Sequence, residues 1–163
     1  KTFILIVEQF IKYWKEVIFM RFLVDADACP VTAEVEKLAK EKGCPCILFH
    51  DYNHTIQSDY SEVRIIDAGK DAVDFAIVAE CQSGDIVITN DAGLASMVLA
   101  KAECVINFYG HRYTEAAIDE RLLRSHVAKQ YRYTHNYRNM PKSKKHGRHS
   151  NFQHFGKSLA ACL

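Results

Sequence analysis

Five aspartates stand directly after short apolar runs or at the start of predicted helices. They are Asp25, Asp27, Asp71, Asp74 and Asp91. The runs have the character of strands in a parallel sheet, and ligands bind such sheets beyond the carboxyl ends of the strands. Five carboxylates at one sheet edge repel one another unless they are protonated or bind a cation. Because Mg²⁺ and Mn²⁺ favour carboxylate oxygens and water, the sequence predicts a magnesium or manganese site.

Three of these acids, taken singly, also have a structural interpretation. Asp71 and Asp91 stand where helices begin, and Asp74 falls in a first turn. A helix cap or a favourable interaction with the helix dipole explains an acid at any of these positions. Capping does not explain Asp25 and Asp27, which follow a strand. The set as a whole is therefore better explained by a shared ligand.

The elements that would position the acids alternate along the chain. Apolar runs predict five strands, at residues 22–24, 46–49, 63–66, 86–88 and 105–106. Helical periodicity predicts helices after the first, third and fourth of them. The runs are apolar throughout, which is typical of strands covered on both faces. The sequence therefore predicts an α/β fold, a single three-layer domain with a mostly parallel sheet.

The two ends of the chain differ from this region. Residues 1–19 have the apolar spacing of an amphipathic helix and are interpreted as an N-terminal extension, so the domain is expected to cover 20–163. Residues 115–128 are predicted to be helical and residues 129–150 irregular. A short terminal helix is expected around Phe155.

Charge is unevenly distributed along the 163 residues. From about residue 121 the tail holds ten Lys or Arg and no acid, whereas the first 120 residues hold eleven basic and twenty acidic residues. Such asymmetry indicates contact with a polyanion, and a merely solvated tail is the equal alternative. The candidate phosphate contacts in the tail are Lys142, Lys144, Lys145 and Arg148.

Composition limits the class of protein. Apolar residues make up 48% of the chain, enough for a core, and no apolar run is long enough to span a membrane. Residues 1–19 lack an uninterrupted apolar stretch and a cleavage site of small residues. We therefore expect a cytoplasmic protein with no membrane partner. Its six cysteines are expected to be reduced.

Several segments carry a resemblance to a known family. Residues 20–30, which include Asp25 and Asp27, resemble the opening signature of the YaiI/YqxD family of uncharacterised bacterial proteins. Further matching segments are residues 52–54, 69–74, 84–91, 93–95 and 107–119. The resemblance runs from Met20 to roughly the C-terminus.

That family is in turn similar to PIN-like domains, which are mainly metal-dependent ribonucleases. The resemblance implies Asp25, Asp74 and Asp91 as principal ligands and catalytic acids, with Thr89 near the scissile phosphate. It implies Asp27 and Asp71 as secondary ligands or groups that orient water, and Asn53 and His54 as substrate-binding residues. A loop histidine that only hydrogen-bonds backbone remains an alternative for His54. PIN nucleases usually also carry a glutamate on an early helix, where this chain offers Glu34 and Glu36.

The expected function is therefore divalent-metal-dependent phosphodiester hydrolysis, of RNA rather than DNA. One alternative is a phosphatase of the haloacid-dehalogenase kind, with Asp25 as nucleophile, Asp27 as general acid and Asp85 with Asp91 as a later acidic motif. The other is a nucleic-acid-binding module without catalysis, which would use the basic tail and its tyrosines. The sequence does not determine the oligomeric state.

Overall fold

The computed structural model describes residues 20–27, 29–67, 69, 71–134, 155–157 and 159. Strands β1 to β5 cover Phe22–Asp25, Cys46–Asp51, Glu62–Ile66, Ile86–Ile88 and Cys104–Ile106. Helices α1 to α4 cover Thr32–Lys42, Ala72–Glu80, Ala92–Val98 and Glu115–Thr134. The predicted α/β class is confirmed.

The five strands form one parallel sheet in the order β3-β2-β1-β4-β5. Strand β1 lies in the middle of the sheet. From β1 the chain continues outward through β2 to β3, and it then returns to the other side of β1 for β4 and β5. Strand order therefore reverses between β1 and β4. Ligands of open parallel sheets bind at such a reversal, beyond the carboxyl ends of the strands.

Alternate side chains of β1 enter two different cores, one on each face of the sheet. Phe22 and Val24 pack on the side of α1, and Leu23 packs on the opposite side against α2 and α3. All three side chains are fully buried. The sheet is thus covered on both faces, which confirms the predicted three-layer arrangement and explains why the strand residues are continuously apolar.

The predicted terminal helix is present on the α1 side of the sheet. Residues 155–157 and 159 are helical. Phe155 and Leu159 are fully buried in the same core as Phe22. A segment more than a hundred residues distant from β1 in sequence therefore completes that face of the sheet.

One connection follows the predicted pattern and one element exceeds it. The connection between β2 and β3 is a loop, as predicted, and Glu36 of α1 anchors it by accepting hydrogen bonds from Ser58 and, at 2.7 Å, from Ser61. In addition, α4 extends to Thr134, so the prediction that residues 129–150 are irregular is wrong for 129–134. Residues 135–150 lie outside the described residues.

An ion-pair network closes the amino-terminal edge of the sheet. Arg21, which precedes β1, donates from Nε and Nη2 to the two carboxylate oxygens of Asp85 at 3.0 and 2.7 Å. It also donates to Glu80 Oε1 at 2.7 Å. Asp85 precedes β4 and is fully buried. This network lies at the sheet edge opposite to the one where the strands end.

Some expectations fall on parts of the chain that the structure does not describe. The N-terminal extension, residues 1–19, is one of them, and the four basic residues predicted to contact phosphate are the other. Among the described residues, Cys29, Cys44, Cys46 and Cys81 are free thiols. No helix in this part of the chain is both long and apolar enough to cross a lipid bilayer.

Candidate functional site

The ends of β1 and β4 are joined by the hydroxyl of Thr89. Thr89 Oγ1 donates to Asp25 Oδ2 at 2.8 Å and accepts from the backbone N–H of Asp91 at 3.0 Å. Thr89 is fully buried, and Asp25 is the last residue of β1. One hydroxyl therefore fixes two candidate ligands relative to each other at the reversal of strand order. Thr89 and Asp25 are 64 residues apart in sequence, and the fold brings them into contact.

Asp91 is both a helix cap and a member of the acidic edge. Its Oδ1 accepts from the backbone N–H groups of Gly93 at 2.6 Å and Leu94 at 3.1 Å, so it caps α3. The structural interpretation of Asp91 is therefore confirmed. A cap engages one carboxylate oxygen, and the second oxygen of the same group can still bind a cation.

Gly93 allows this close approach of the Asp91 carboxylate. A Cβ atom at position 93 would lie 2.9 Å from Asp91 Oδ1. We expect Gly93→Ala to displace the carboxylate, which is the movable partner, and to raise the dissociation constant for Mn²⁺ by about tenfold, with a smaller effect on the melting temperature. Isothermal titration with Mn²⁺ measures the constant. An unchanged Mn²⁺ affinity would show that Asp91 does not bind the ion.

The remaining predicted acids act on Asp74, which lies in the first turn of α2. Burial, followed in decreasing order by the charges of Asp91, Asp25, Asp71 and Asp27, raises the pKa of Asp74 to about 6. Each of the other four predicted acids thus lies within electrostatic range of Asp74. The five acids therefore lie near one sheet edge, but among the described residues the ligand atoms that converge within 4.8 Å belong to a different set, Asp27, Asp51 and His54.

Asp25 shows the same effect. Burial raises its pKa, the hydrogen bond from Thr89 lowers it, and the charges of Asp27 and Asp91 raise it again. The net direction is upward. The edge therefore holds more negative charge than its hydrogen bonds compensate, which favours a cation.

Asp71 does not cap α2 with its side chain. It occupies the N-cap position but accepts no capping hydrogen bond, and its φ of 60° lies in the left-handed region. The predicted N-cap position of Asp71 is therefore confirmed, but its side chain makes no capping hydrogen bond. Left-handed backbone is uncommon outside glycine and is tolerated best by Asn and Asp. The side chain is exposed and within range of Asp74.

A second group of ligand atoms adjoins the first. The carboxylate of Asp27 accepts from the backbone N–H of Asp51 at 2.8 Å, and His54 Nδ1 lies 2.7 Å from Asp51 Oδ1 and 3.2 Å from Asp27 Oδ1. Candidate ligand atoms of these three residues all lie within 4.8 Å of one another. Asn53 donates to Asp51 from its backbone N–H at 3.0 Å and from Nδ2 at 3.1 Å.

Charge couples the members of this second group. Hydrogen bonds from Asn53 and His54 lower the pKa of Asp51, and the hydrogen bond to Asp51 raises the pKa of His54. His54 therefore contacts two carboxylates rather than backbone alone. Asp27 belongs to both groups, because it also acts on Asp25 and Asp74.

Sequence reasoning missed Asp51. The second strand was predicted to end at Phe49, where the apolar run stops, but β2 continues through His50 to Asp51. Residues His50 and Asp51 pair with Ile65 and Ile66 of β3, so the backbone ladder extends past the apolar run. The signal available was position: an acid a few residues after an apolar run, as for Asp25 and Asp27.

Other reactive side chains fit a catalytic role less well. Burial raises the pKa of Cys29 to about 11, so its thiol is neutral at pH 7 and a weak nucleophile. Glu36 anchors the β2–β3 loop, as described above. The charges of Glu34 and Asp25 both act on Cys29.

Comparison with known proteins agrees with the signature at residues 20–30. A protein of Clostridium acetobutylicum named as a UPF0178 protein is 46% identical over 113 residues, covering 69% of this chain and 76% of that protein. A UPF0178 protein of Natranaerobius thermophilus is 39% identical over 140 residues, covering 86% and 95%. No solved structure matches the chain significantly. A family described as "Uncharacterized BCR, YaiI/YqxD family" matches residues 23–162, and the chain belongs to that family.

Proposed function

We propose that this protein is a divalent-metal-dependent nuclease that hydrolyses phosphodiester bonds, in RNA rather than DNA. One observation carries the proposal. At the reversal of strand order, the buried Thr89 hydroxyl joins Asp25 to the backbone of Asp91, and candidate ligand atoms of Asp27, Asp51 and His54 lie within 4.8 Å of one another. The raised pKa values of Asp25 and Asp74 support it, because perturbed groups of this kind concentrate at functional sites.

The donor sets suit hard divalent cations. Asp25, Asp74 and Asp91 offer only oxygen, which Mg²⁺ and Mn²⁺ both accept. The group of Asp27, Asp51 and His54 adds an imidazole nitrogen. Imidazole is a better ligand for transition metals than for Mg²⁺, so Mn²⁺ is the preferred ion for tests.

The chemistry divides between the ion and the chain. A bound cation would polarise a phosphodiester oxygen and lower the pKa of a water molecule. Thr89 holds Asp25 in place through a fully buried hydroxyl, and Gly93 and Leu94 hold Asp91. These fixed carboxylates can orient an attacking water without reorganisation during the reaction. A bound cation would offset the neighbouring charges that raise the pKa of Asp74, which couples the ionisation of Asp74 to cation binding.

The phosphatase alternative loses one of its supports. Asp85, offered as part of a later acidic motif, is bonded to Arg21 at the opposite edge of the sheet. The proposed general acid Asp27 is engaged by the backbone of Asp51 and lies near His54. The binding-module alternative depends on the basic tail, most of which lies outside the described residues. The acidic edge itself favours a hydrolase over a module that only binds nucleic acid.

The proposal is tested by incubating the protein with labelled single-stranded RNA, single-stranded DNA and duplexes in Mg²⁺, Mn²⁺ or EDTA. We expect cleavage of RNA in Mn²⁺ or Mg²⁺ and none in EDTA. An aryl phosphate in parallel detects phosphatase activity. Intact RNA and DNA in both metals would refute the nuclease proposal, and turnover of the aryl phosphate alone would favour the phosphatase.

A further inference from the structure

Arg121 of α4 is held beside the acidic edge by two neutral groups. Its Nη2 donates to the backbone oxygen of Asn90 at 3.0 Å, and its Nη1 donates to the hydroxyl of Tyr113 at 3.2 Å. The guanidinium also lies over the Tyr113 ring, 5.9 Å from its centre. Asn90 stands between Thr89 and Asp91. The positive charge is therefore fixed next to the end of β4.

Tyr113 provides an independent sign of this proximity. Burial raises the pKa of Tyr113, the charge of Arg121 lowers it, and the charge of Asp91 raises it. Both charges thus lie within electrostatic range of one buried hydroxyl. Arg121 and Asp91 are near neighbours across the α3–α4 side of the edge.

Arg121, like Arg112, has no carboxylate partner among the described residues, but Arg112 bonds the backbone oxygen of Glu103, before β5, whereas Arg121 lies beside the acidic edge. Arg21 pairs with Asp85 and Glu80, and Arg64 pairs with Glu62 and Glu80. The recorded bonds of Arg121 go only to Asn90 and Tyr113 and use only part of its donor set. A partly buried arginine without a counter-charge, beside a cluster of acids, retains its capacity to bind an anion.

We propose that Arg121 binds a phosphate group of a single-stranded nucleic-acid substrate beside the acidic edge. A polyanion is repelled by the aspartates, so a fixed positive charge is needed where the backbone enters. The planar guanidinium matches the non-bridging oxygens of a phosphate, and aromatic stacking fixes its orientation. This inference rests on the proposed function, since it assigns a substrate contact to the same site.

The test compares Arg121→Gln and Arg121→Lys with Arg124→Gln. Arg124 is on the same helix but is 78% exposed and pairs with Glu120 at 2.6 Å, which makes it a matched control. Binding of a labelled single-stranded RNA is measured by fluorescence anisotropy over a range of salt. Ca²⁺ replaces Mn²⁺ in the assay, because it also takes carboxylate oxygens. Melting curves of each variant control for folding.

For Arg121→Gln we expect the dissociation constant to rise about tenfold, as for loss of one charged hydrogen-bonding contact. The slope of log affinity against log salt should fall by roughly 0.7, the value for one phosphate contact on a single strand. Arg121→Lys should keep the slope and lose only part of the affinity, because it keeps the charge but not the planar fork. Arg124→Gln should stay within about twofold of wild type.

Three results would overturn the inference: Arg121→Gln binds like the control, affinity falls with an unchanged salt slope, or the wild type binds no RNA. The second result would mean that Arg121 only packs α4 against the β4 loop. The outcome is separable from the nuclease proposal. If the wild type cleaves RNA but Arg121→Gln binds normally, only the inference fails. If the salt slope changes as expected but no cleavage occurs, the phosphate contact stands and the nuclease proposal fails.

Discussion

Asn in place of Asp74 is expected to make the metal-free protein more stable at neutral pH and to abolish its metal-dependent cleavage. Burial and four neighbouring aspartates raise the pKa of Asp74 to about 6. At pH 7 the folded protein must therefore carry a charge that its surroundings disfavour. Asn has the same shape without the charge, so the substitution removes that repulsion.

The pH dependence follows from the direction of the shift. The folded state binds the Asp74 proton more tightly than the unfolded state, so between about pH 4 and pH 6 the folded state holds more protons at this group. The contribution of Asp74 to stability then falls as pH rises through that window and stays low above it. Wild type should lose more stability than Asp74→Asn between pH 4 and pH 7 in EDTA.

Cation binding should reverse this penalty in wild type only. A ligand that binds only the folded state stabilises it, by roughly 2.7 kcal/mol at 100 times its dissociation constant. Substitution of residues that hydrogen-bond to a metal ligand typically lowers metal affinity or activity by roughly 10- to 100-fold. Because Asp74→Asn removes a direct ligand, we expect it to lower metal affinity and cleavage at least as much. Urea denaturation at several pH values, with EDTA and with Mn²⁺, measures both effects.

Asp59→Asn is the matched control for Asp74→Asn. Asp59 is an exposed acid in the β2–β3 loop, next to Tyr60, whose hydroxyl bonds the Cys44 backbone at the start of β2. The Asp59→Asn substitution makes the same change of charge away from the candidate ligands. It should leave the response of stability to Mn²⁺ and to pH unchanged. Strong destabilisation of Asp74→Asn in EDTA would mean that Asp74 is structural. A wild type that shows no response to millimolar Mn²⁺ would remove the metal site.

The fold could be predicted where the burial of a residue follows from the strand or helix that contains it. Phe22, Leu23 and Val24 are buried on both faces of the sheet, so their continuous hydrophobicity shows in the sequence. The strand order is different, because it depends on which strand edges pair, and apolar strands look alike. The end of β2 was also misplaced, since His50 and Asp51 are held by pairing with β3 and not by hydrophobicity.

The site was predictable in kind but not in detail. The positions of Asp25 and Thr89 after separate apolar runs were visible in the sequence, but their 2.8 Å hydrogen bond depends on β1 and β4 being neighbours. The left-handed backbone of Asp71 has no sequence signal, because Asp is common at helix starts. Arg121 looked like the first residue of a basic tail, and only the docking of α4 places it beside Asn90.

The network around Asp85 separates structural acids from those of the candidate site. Asp85 is fully buried, accepts two hydrogen bonds from Arg21, and accepts a third from the backbone N–H of Gln82 at 2.8 Å. Unlike Asp74, it is compensated by a direct opposite charge. Removing one partner of a buried pair leaves the other without its counter-charge, and typically costs about 3–5 kcal/mol.

We therefore expect Asp85→Asn to lower the free energy of unfolding by about 3 kcal/mol, at the low end because Glu80 still pairs with Arg21. The melting temperature should fall by roughly 6–12 °C. Glu62→Gln breaks the exposed bridge to Arg64 and should cost less than about 1 kcal/mol. Below its melting temperature, Asp85→Asn should respond to Mn²⁺ as wild type does, because its network lies at the other edge of the sheet. The Asp85→Asn protein could instead remain folded but lose its metal response or its catalysis. That result would place Asp85 in the reaction and would favour the phosphatase alternative.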